Sequence, residues 1–302
     1  MSNAPPEKLD VSRLATVTVH LLERNNEVAS GLRAMLRGAG MAGVKTFLTP
    51  DQLEASLSPV SPDVLILSEN ENSNIFEITK RVRHVTVGKN PFMVILLLLS
   101  PDNQESIKAA LKSGADSALV KPVASAQLVE RIGQLAFKRA PFIAVSDYIG
   151  PDRAAAGRTA DTPLIQTINT LRYKLQGKAV APEALDKAIM SVTPQLWLSQ
   201  LKSHGVKLKA SCDAILEHQR AQRPVSELKT SLLELVAGLE EAATTTRKVQ
   251  NADAMLRTCQ ELAKEIQLLA NETESLDEKK ISKLGMIPAA FDLALQRLAP
   301  PA

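Results

Sequence analysis

Residues 63–67 read Asp-Val-Leu-Ile-Leu, an apolar run of strand length preceded by Pro62 and followed by Ser68-Glu69-Asn70. Such a run lacks the alternation of a half-exposed strand, so it suits a central parallel strand covered on both faces. A second run of this kind, Phe92 to Leu99 (FMVILLLL), lies about thirty residues on. Between them Ile75 to Thr86 has helical spacing. Working outward, Thr16 to Leu22 (TVTVHLL) reads as a first strand. Asn26 to Ala39 is a helix with Val28, Leu32, Met35 and Leu36 on one face, and Val44 to Leu48 is a second strand. Thr49-Pro50-Asp51 starts a further helix, with a cap residue and a proline in the first turn. Asn103 to Ser113 is a helix ended by Gly114, Ala118 to Val120 a short last strand, and Ser125 to Lys138 a last helix. Five strands alternating with five helices predict an α/β domain with a doubly wound five-stranded parallel sheet over residues 15–140.

Residues 141–163 differ in character, with several prolines and glycines and no sustained periodicity. They read as a linker, in which PFIAVSDYIGPDR is a candidate to pack on the first domain. From residue 164 to about 300 no strand pattern follows, and an all-α bundle is expected. Its helices are placed at Leu164–Gln176, Pro182–Val192, Pro194–Gln222, Val225–Thr244, Gln250–Glu274 and Glu278–Leu298. Leu228, Leu232, Leu235 and Leu239, and likewise Leu256, Leu262, Ile266 and Leu269, follow helical spacing and read as bundle core.

The bulk numbers agree with two domains. The chain has 302 residues, 45% hydrophobic and 23% charged, and only 3% aromatic, so its cores must be built from aliphatic side chains. A net charge of +3 from 36 basic and 33 acidic residues gives no dedicated nucleic-acid surface. The opening MSNAPPEKLD has no apolar signal-peptide core, and Phe92 to Leu99 is too short to span a bilayer, so a cytoplasmic protein without a membrane partner is expected. Cys212 and Cys259 lack metal-ligand spacing and read as reduced, half-buried thiols.

The segments GADSALVKP (Gly114 to Pro122), PDVLIL (Pro62 to Leu67) and NEVASGLRAMLRGAG resemble, in order and spacing, the CheY-like receiver domain of two-component response regulators. The resemblance covers roughly residues 15–140. It implies a Mg²⁺-binding acidic pair after strand one, a phosphoacceptor aspartate after strand three, a hydroxyl on strand four and a lysine on strand five. On that pattern this sequence departs at most positions. Strand one is followed by Glu23-Arg24-Asn25, with at most one carboxylate facing the site. The acceptor position falls on Ser68, with Glu69 one residue beyond. The switch hydroxyl falls on Leu99, next to Ser100, and the aromatic switch position on Ala118. Lys121 alone stands where the family has it. It pairs with Glu23 or Glu69, or is kept for the geometry of the Lys121-Pro122 turn.

These departures imply a pseudo-receiver. Without the acceptor carboxylate no acyl phosphate forms, without the acidic pair Mg²⁺ binds weakly, and serine is a poor nucleophile without a base. No cofactor, no catalytic residue and no metal site is expected, and the protein is not expected to be an enzyme.

The leading expectation is a phosphorylation-independent adaptor in two-component phosphorelay signalling. It binds signalling proteins (a histidine kinase, receiver or phosphotransfer protein) through the surface around its fourth and fifth helices, and a homodimer is open. A working regulator phosphorylated at Ser68 or Glu69 stands as an alternative, and nucleic-acid binding through the helical part as a weaker one. In the helical part, His204 three residues before Lys207 resembles a phosphotransfer histidine, although Leu208 breaks the small-residue pattern; the plain alternative is a surface histidine. His218 reads as a solvated residue near a helix end, and Trp197 as core.

Overall fold

The computed structural model describes residues 10–58, 61–70, 74–101, 104–153, 158–221, 224–271 and 283–298. The chain divides into two compact units. The first holds a five-stranded sheet in the order β2-β1-β3-β4-β5, all parallel, from β1 (Thr18–Leu22), β2 (Gly43–Phe47), β3 (Val64–Ser68), β4 (Val94–Leu99) and β5 (Ser117–Val120). Helices α1 (Asn26–Gly38), α2 (Pro50–Leu57), α3 (Ile75–Arg83), α4 (Gln104–Ser113) and α5 (Ser125–Phe137) connect and cover the strands.

Local signals place these helices. Asn25 caps α1 by accepting the N–H groups of Glu27 and Val28, Thr49 caps α2 ahead of Pro50, and Asn74 caps α3. β3 and β4 are buried at every residue, and their alternation divides them between two cores. Val64, Ile66, Val94, Leu96 and Leu98 join one cluster with residues of α1 and α5. Leu65, Leu67, Ile95, Leu97 and Leu99 join the other, with residues of α2, α3 and α4. A side-chain period of two feeding both faces is why these runs read as apolar without alternation.

Three expectations are corrected in detail. On α1 the buried side chains are Ala29 and Leu36, with Leu32 and Met35 partly buried and Val28 42% exposed; the inward stripe is rotated from the one read off the sequence. Helix α3 stops at Arg83, because the chain turns through His84 and through Val85 at φ +56°. After α5 the chain does not run as plain linker: β6 (Phe142–Val145) and β7 (Tyr148–Pro151) form a two-stranded sheet, buried throughout, and Phe142 also bridges to Ile165. That bridge uses residues expected to be helical, and only α6 (Thr170–Leu175) is helix there.

A 39-residue helix α7 (Pro182–Arg220) runs unbroken through Pro194, where two helices were expected. An internal proline removes one backbone hydrogen bond at a cost of about 3 kcal/mol; Ile189 before it and Leu196 and Trp197 after it are buried and offset that cost. The second unit takes α7 from Thr193 on, together with residues 144–147, 158–163 and the rest of the chain. In it α8 (Val225–Thr246) packs along α9 (Asp253–Asn271), and α10 (Ile287–Gln296) packs on α9.

The core of this unit includes all four leucines of the α8 stripe. On α9 the inward face is Met255, Cys259, Ala263, Ile266 and Leu269, while Leu256 and Leu262 sit only at its margin. Trp197 is buried beneath the Lys248 ammonium, 4.6 Å from its ring centre. Both cysteines are free and fully buried rather than half-buried. Most of the expected start of the last helix lies outside the described residues. Among the described residues no helix is long and apolar enough to cross a membrane.

Candidate functional site

The carboxyl ends of β1, β3, β4 and β5 bring together the residues singled out in the sequence. Glu23 is buried just past β1; its Oε1 accepts the Asn25 N–H at 2.8 Å and its own N–H bonds the Phe47 carbonyl. Arg24 is exposed. Ser68, the last residue of β3, is fully buried, and Lys121 follows β5 at a cis Lys121–Pro122 peptide. The Lys121 ammonium donates to Ser68 Oγ at 3.3 Å and to the main-chain oxygen of Glu69. Of the two pairings open in the sequence, neither carboxylate is what Lys121 meets; it meets a hydroxyl and a peptide carbonyl.

The Glu69 carboxylate turns the other way. Its Oε2 accepts the Ser100 N–H at 2.7 Å and its Oε1 accepts the Ser106 hydroxyl. Ser68 and Glu69 are neighbours on an extended chain, so their side chains leave on opposite faces. Glu69 therefore serves α4 while Ser68 faces the lysine. Leu99 is buried at the end of β4, and Ala118 is only partly buried. The small side chain at 118 lines a hollow of about 400 Å³ with Leu99, Ala110, Leu111 and Arg131. On the surface around it Ile107, Leu111 and Val120 are 47%, 43% and 48% exposed.

At the amino ends of β4 and β5 lies a charged cluster that the sequence reading missed. Arg83 is wholly buried and donates to the carbonyl oxygens of Gly114, Pro91 and Met93 and to Asp116 at 2.8 Å. Arg139 reaches the other oxygen of Asp116 at 2.6 Å. Burial pushes the Arg83 guanidinium down to about 10, so it stays charged at neutral pH. Burial alone would raise the Asp116 carboxyl; the Arg139 and Arg83 guanidiniums outweigh it and hold it below the usual carboxylate range. Both guanidiniums lie over the ring of Phe142 of β6, 5.0 and 4.7 Å from its centre. A Cβ on Gly114, at φ +86°, would fall 2.2 Å from the Ile149 carbonyl oxygen of β7. Gly114 thus lets β7 pack close, and Asp116 holds the two guanidiniums that lie over Phe142 of β6.

In the helical unit His204 is 1% exposed and neither ring nitrogen has a hydrogen-bond partner, so it is not the surface residue expected. Burial pushes its pKa down to about 4. A ring enclosed in this way has no nitrogen open to a partner's phosphoryl group, which removes the phosphotransfer reading. Next to it on α7, Ser199, Gln200 and Ser203 bond the main chain of Ala144 and Ser146. His218 is half-buried rather than solvated. Among the described residues no three His, Cys, Asp or Glu side chains are grouped to hold a metal ion.

Solved structures with a similar fold cover the first two fifths of the chain. One is a putative pilus assembly-related protein of Burkholderia pseudomallei K96243, 14% identical over 44% of this chain and 98% of that one, with a TM-score of 0.37. A second is chemotaxis protein CheY4 of Vibrio cholerae, 24% identical over 38% of this chain and 95% of that one, with a TM-score of 0.34. A third is the signal receiver domain of a DNA-binding response regulator from Colwellia psychrerythraea 34H, at 21%, 39%, 97% and 0.36 in the same order. Identities this low bear on fold alone. No family model and no curated protein matches the sequence.

Proposed function

We propose that this chain is a phosphorylation-independent adaptor of two-component signalling, a pseudo-receiver with a helical partner unit, and not an enzyme. The observation that carries the reading is the environment of Lys121. Where a receiver needs a carboxylate, the ammonium meets Ser68 Oγ at 3.3 Å, and the adjacent Glu69 carboxylate is committed to Ser100 and Ser106. A buried serine hydroxyl bonded to an ammonium, with no base against it, is a weak nucleophile for phosphoryl transfer.

With one carboxylate after β1 in place of a receiver's acidic pair, the chain would hold Mg²⁺ weakly. The ion is held by one or two carboxylates with waters around it. Glu23 is the one carboxylate after β1, and one of its oxygens already accepts the Asn25 N–H.

Partner binding is assigned to the face formed by α4, β5 and α5, where Ile107, Leu111 and Val120 are exposed around the hollow beside Ala118. Its partners are histidine kinases, receivers or phosphotransfer proteins. Affinity capture with the wild type and Leu111→Glu, each with and without a small phosphodonor, tests this. The same signalling partner in both conditions, lost in the variant, is the expected result. Capture that requires the phosphodonor, or survives the substitution, contradicts it.

A further inference from the structure

We infer that Glu69 is a positioning residue: an internal anion that latches Ser100, at the exit of β4, and the first turn of α4 to the end of β3. It thereby holds α4 in the single arrangement that presents Ile107 and Leu111. The purpose of that face rests on the reading above; the latch does not.

Glu69 is 8% exposed, yet all of its polar groups are engaged, each by a different part of the fold. Its N–H bonds the Leu98 carbonyl of β4 at 2.8 Å, continuing the ladder one residue beyond β3. Its carbonyl accepts from Lys121 after β5. One carboxylate oxygen takes the Ser100 N–H at the exit of β4, and the other takes the hydroxyl of Ser106, itself 4% exposed in the first turn of α4.

A carboxylate with two donors is among the stronger side-chain arrangements. Enclosure strengthens it further, since a lost donor is not replaced by water. A negative charge at the first turn also suits the helix dipole. Ser106 immediately precedes Ile107 in α4, so fixing it fixes the turn that carries the exposed apolar residues. The anion is part of the chain, so this tie is permanent: no bound group has to arrive for α4 to be held, and none can leave to release it.

The test is hydrogen exchange on the full chain, without phosphodonor or partner, for wild type, Glu69→Ala, Glu69→Gln and Ser106→Ala. Glu69→Ala is expected to speed exchange of Ser100 and the α4 amides about tenfold or more, and Ser106→Ala by somewhat less. Glu69→Gln, which keeps one acceptor oxygen, should fall between wild type and alanine. Amides of β1, α1, α8 and α9 should not change. Unaltered α4 exchange in Glu69→Ala and Ser106→Ala overturns the inference, as does acceleration spread evenly over the sheet. If Glu69→Ala fails to fold, Ser106→Ala and Glu69→Gln still decide the question. Faster α4 exchange with undiminished partner capture keeps the latch and removes the docking reading; the converse removes the latch alone.

Discussion

Replacing Asp116 by alanine should strongly destabilise the first unit. The carboxylate has no exposed surface and bonds Arg83, 0% exposed, and Arg139, 5% exposed. Its Oδ2 also accepts the Ile95 N–H at 2.7 Å, at the start of the central strand β4. Removing it strands two buried guanidiniums and one buried amide. Breaking a buried ion pair by deleting one partner costs about 3–5 kcal/mol. Both arginines keep hydrogen bonds to carbonyl oxygens of the 91–93 segment, which argues against the sum of two such losses.

About 4 kcal/mol is therefore expected, a large part of the roughly 5–15 kcal/mol that holds a domain. At a urea dependence of about 2 kcal/mol per molar, the midpoint should fall by about 2 M. Hydrogen exchange across a urea series reads the two units separately, through peptides of β4 and of α8; fluorescence of the single tryptophan, Trp197, reports the helical unit alone. Asp116→Asn, which keeps an acceptor for Ile95, should lose about half as much. A shift in β4 peptides below about 0.5 M would refute the claim that this carboxylate compensates two buried cations.

Four further outcomes follow from the same structure. Gly114→Ala must leave φ +86° or push β7 away, so it should destabilise by about 3 kcal/mol; Gly31→Ala, on α1 with nothing within 4 Å of the new methyl, should stabilise by about 0.5–1 kcal/mol in the same denaturation series. His204 has a folded pKa near 4 against 6.5 for an ordinary histidine, so the unfolded chain takes up its proton first. Stability should then fall as the pH drops from 6.5 towards 4, by at most about 3 kcal/mol, and urea midpoints measured over that range should lose part of this slope in His204→Leu. Burial pushes the thiols of Cys212 and Cys259 up to about 11, so a thiol reagent at pH 8 should leave both unmodified in the native protein and label both in denaturant.

The parallel sheet was legible because two of its strands, within DVLIL and FMVILLLL, are buried on both faces, so their apolar runs carry no alternation and are of strand length. The cap at Thr49 was legible because it acts on an amide three residues away; Asn25 and Asn74 cap in the same way but were not read as caps. What escaped the reading depends on distant partners. Arg83 looks like one of several basic residues ending α3, and nothing nearby in sequence shows that Asp116 and Phe142 close over it. The hairpin after α5 is short and its strands hold two glycine and proline residues, Gly150 and Pro151, so composition alone suggests linker. His204 was read as exposed because the helix stripe is judged by its apolar members, and a buried imidazole without partners leaves no periodic trace. At the candidate site, Ser68, Glu69 and Lys121 were singled out by the resemblance to receiver domains, which marks those positions at the ends of strands. The direction of Glu69 was not, since it is fixed by Ser100 and Ser106 across the fold.

The central claim is that the Ser68–Lys121 pair does not accept a phosphoryl group. The most direct measurement is the intact mass of the full chain after incubation with Mg²⁺ and a small-molecule phosphodonor, beside a competent receiver as control. No added phosphoryl group is expected while the control is labelled. A single adduct on this chain, mapped to Ser68 or Glu69, would contradict the claim.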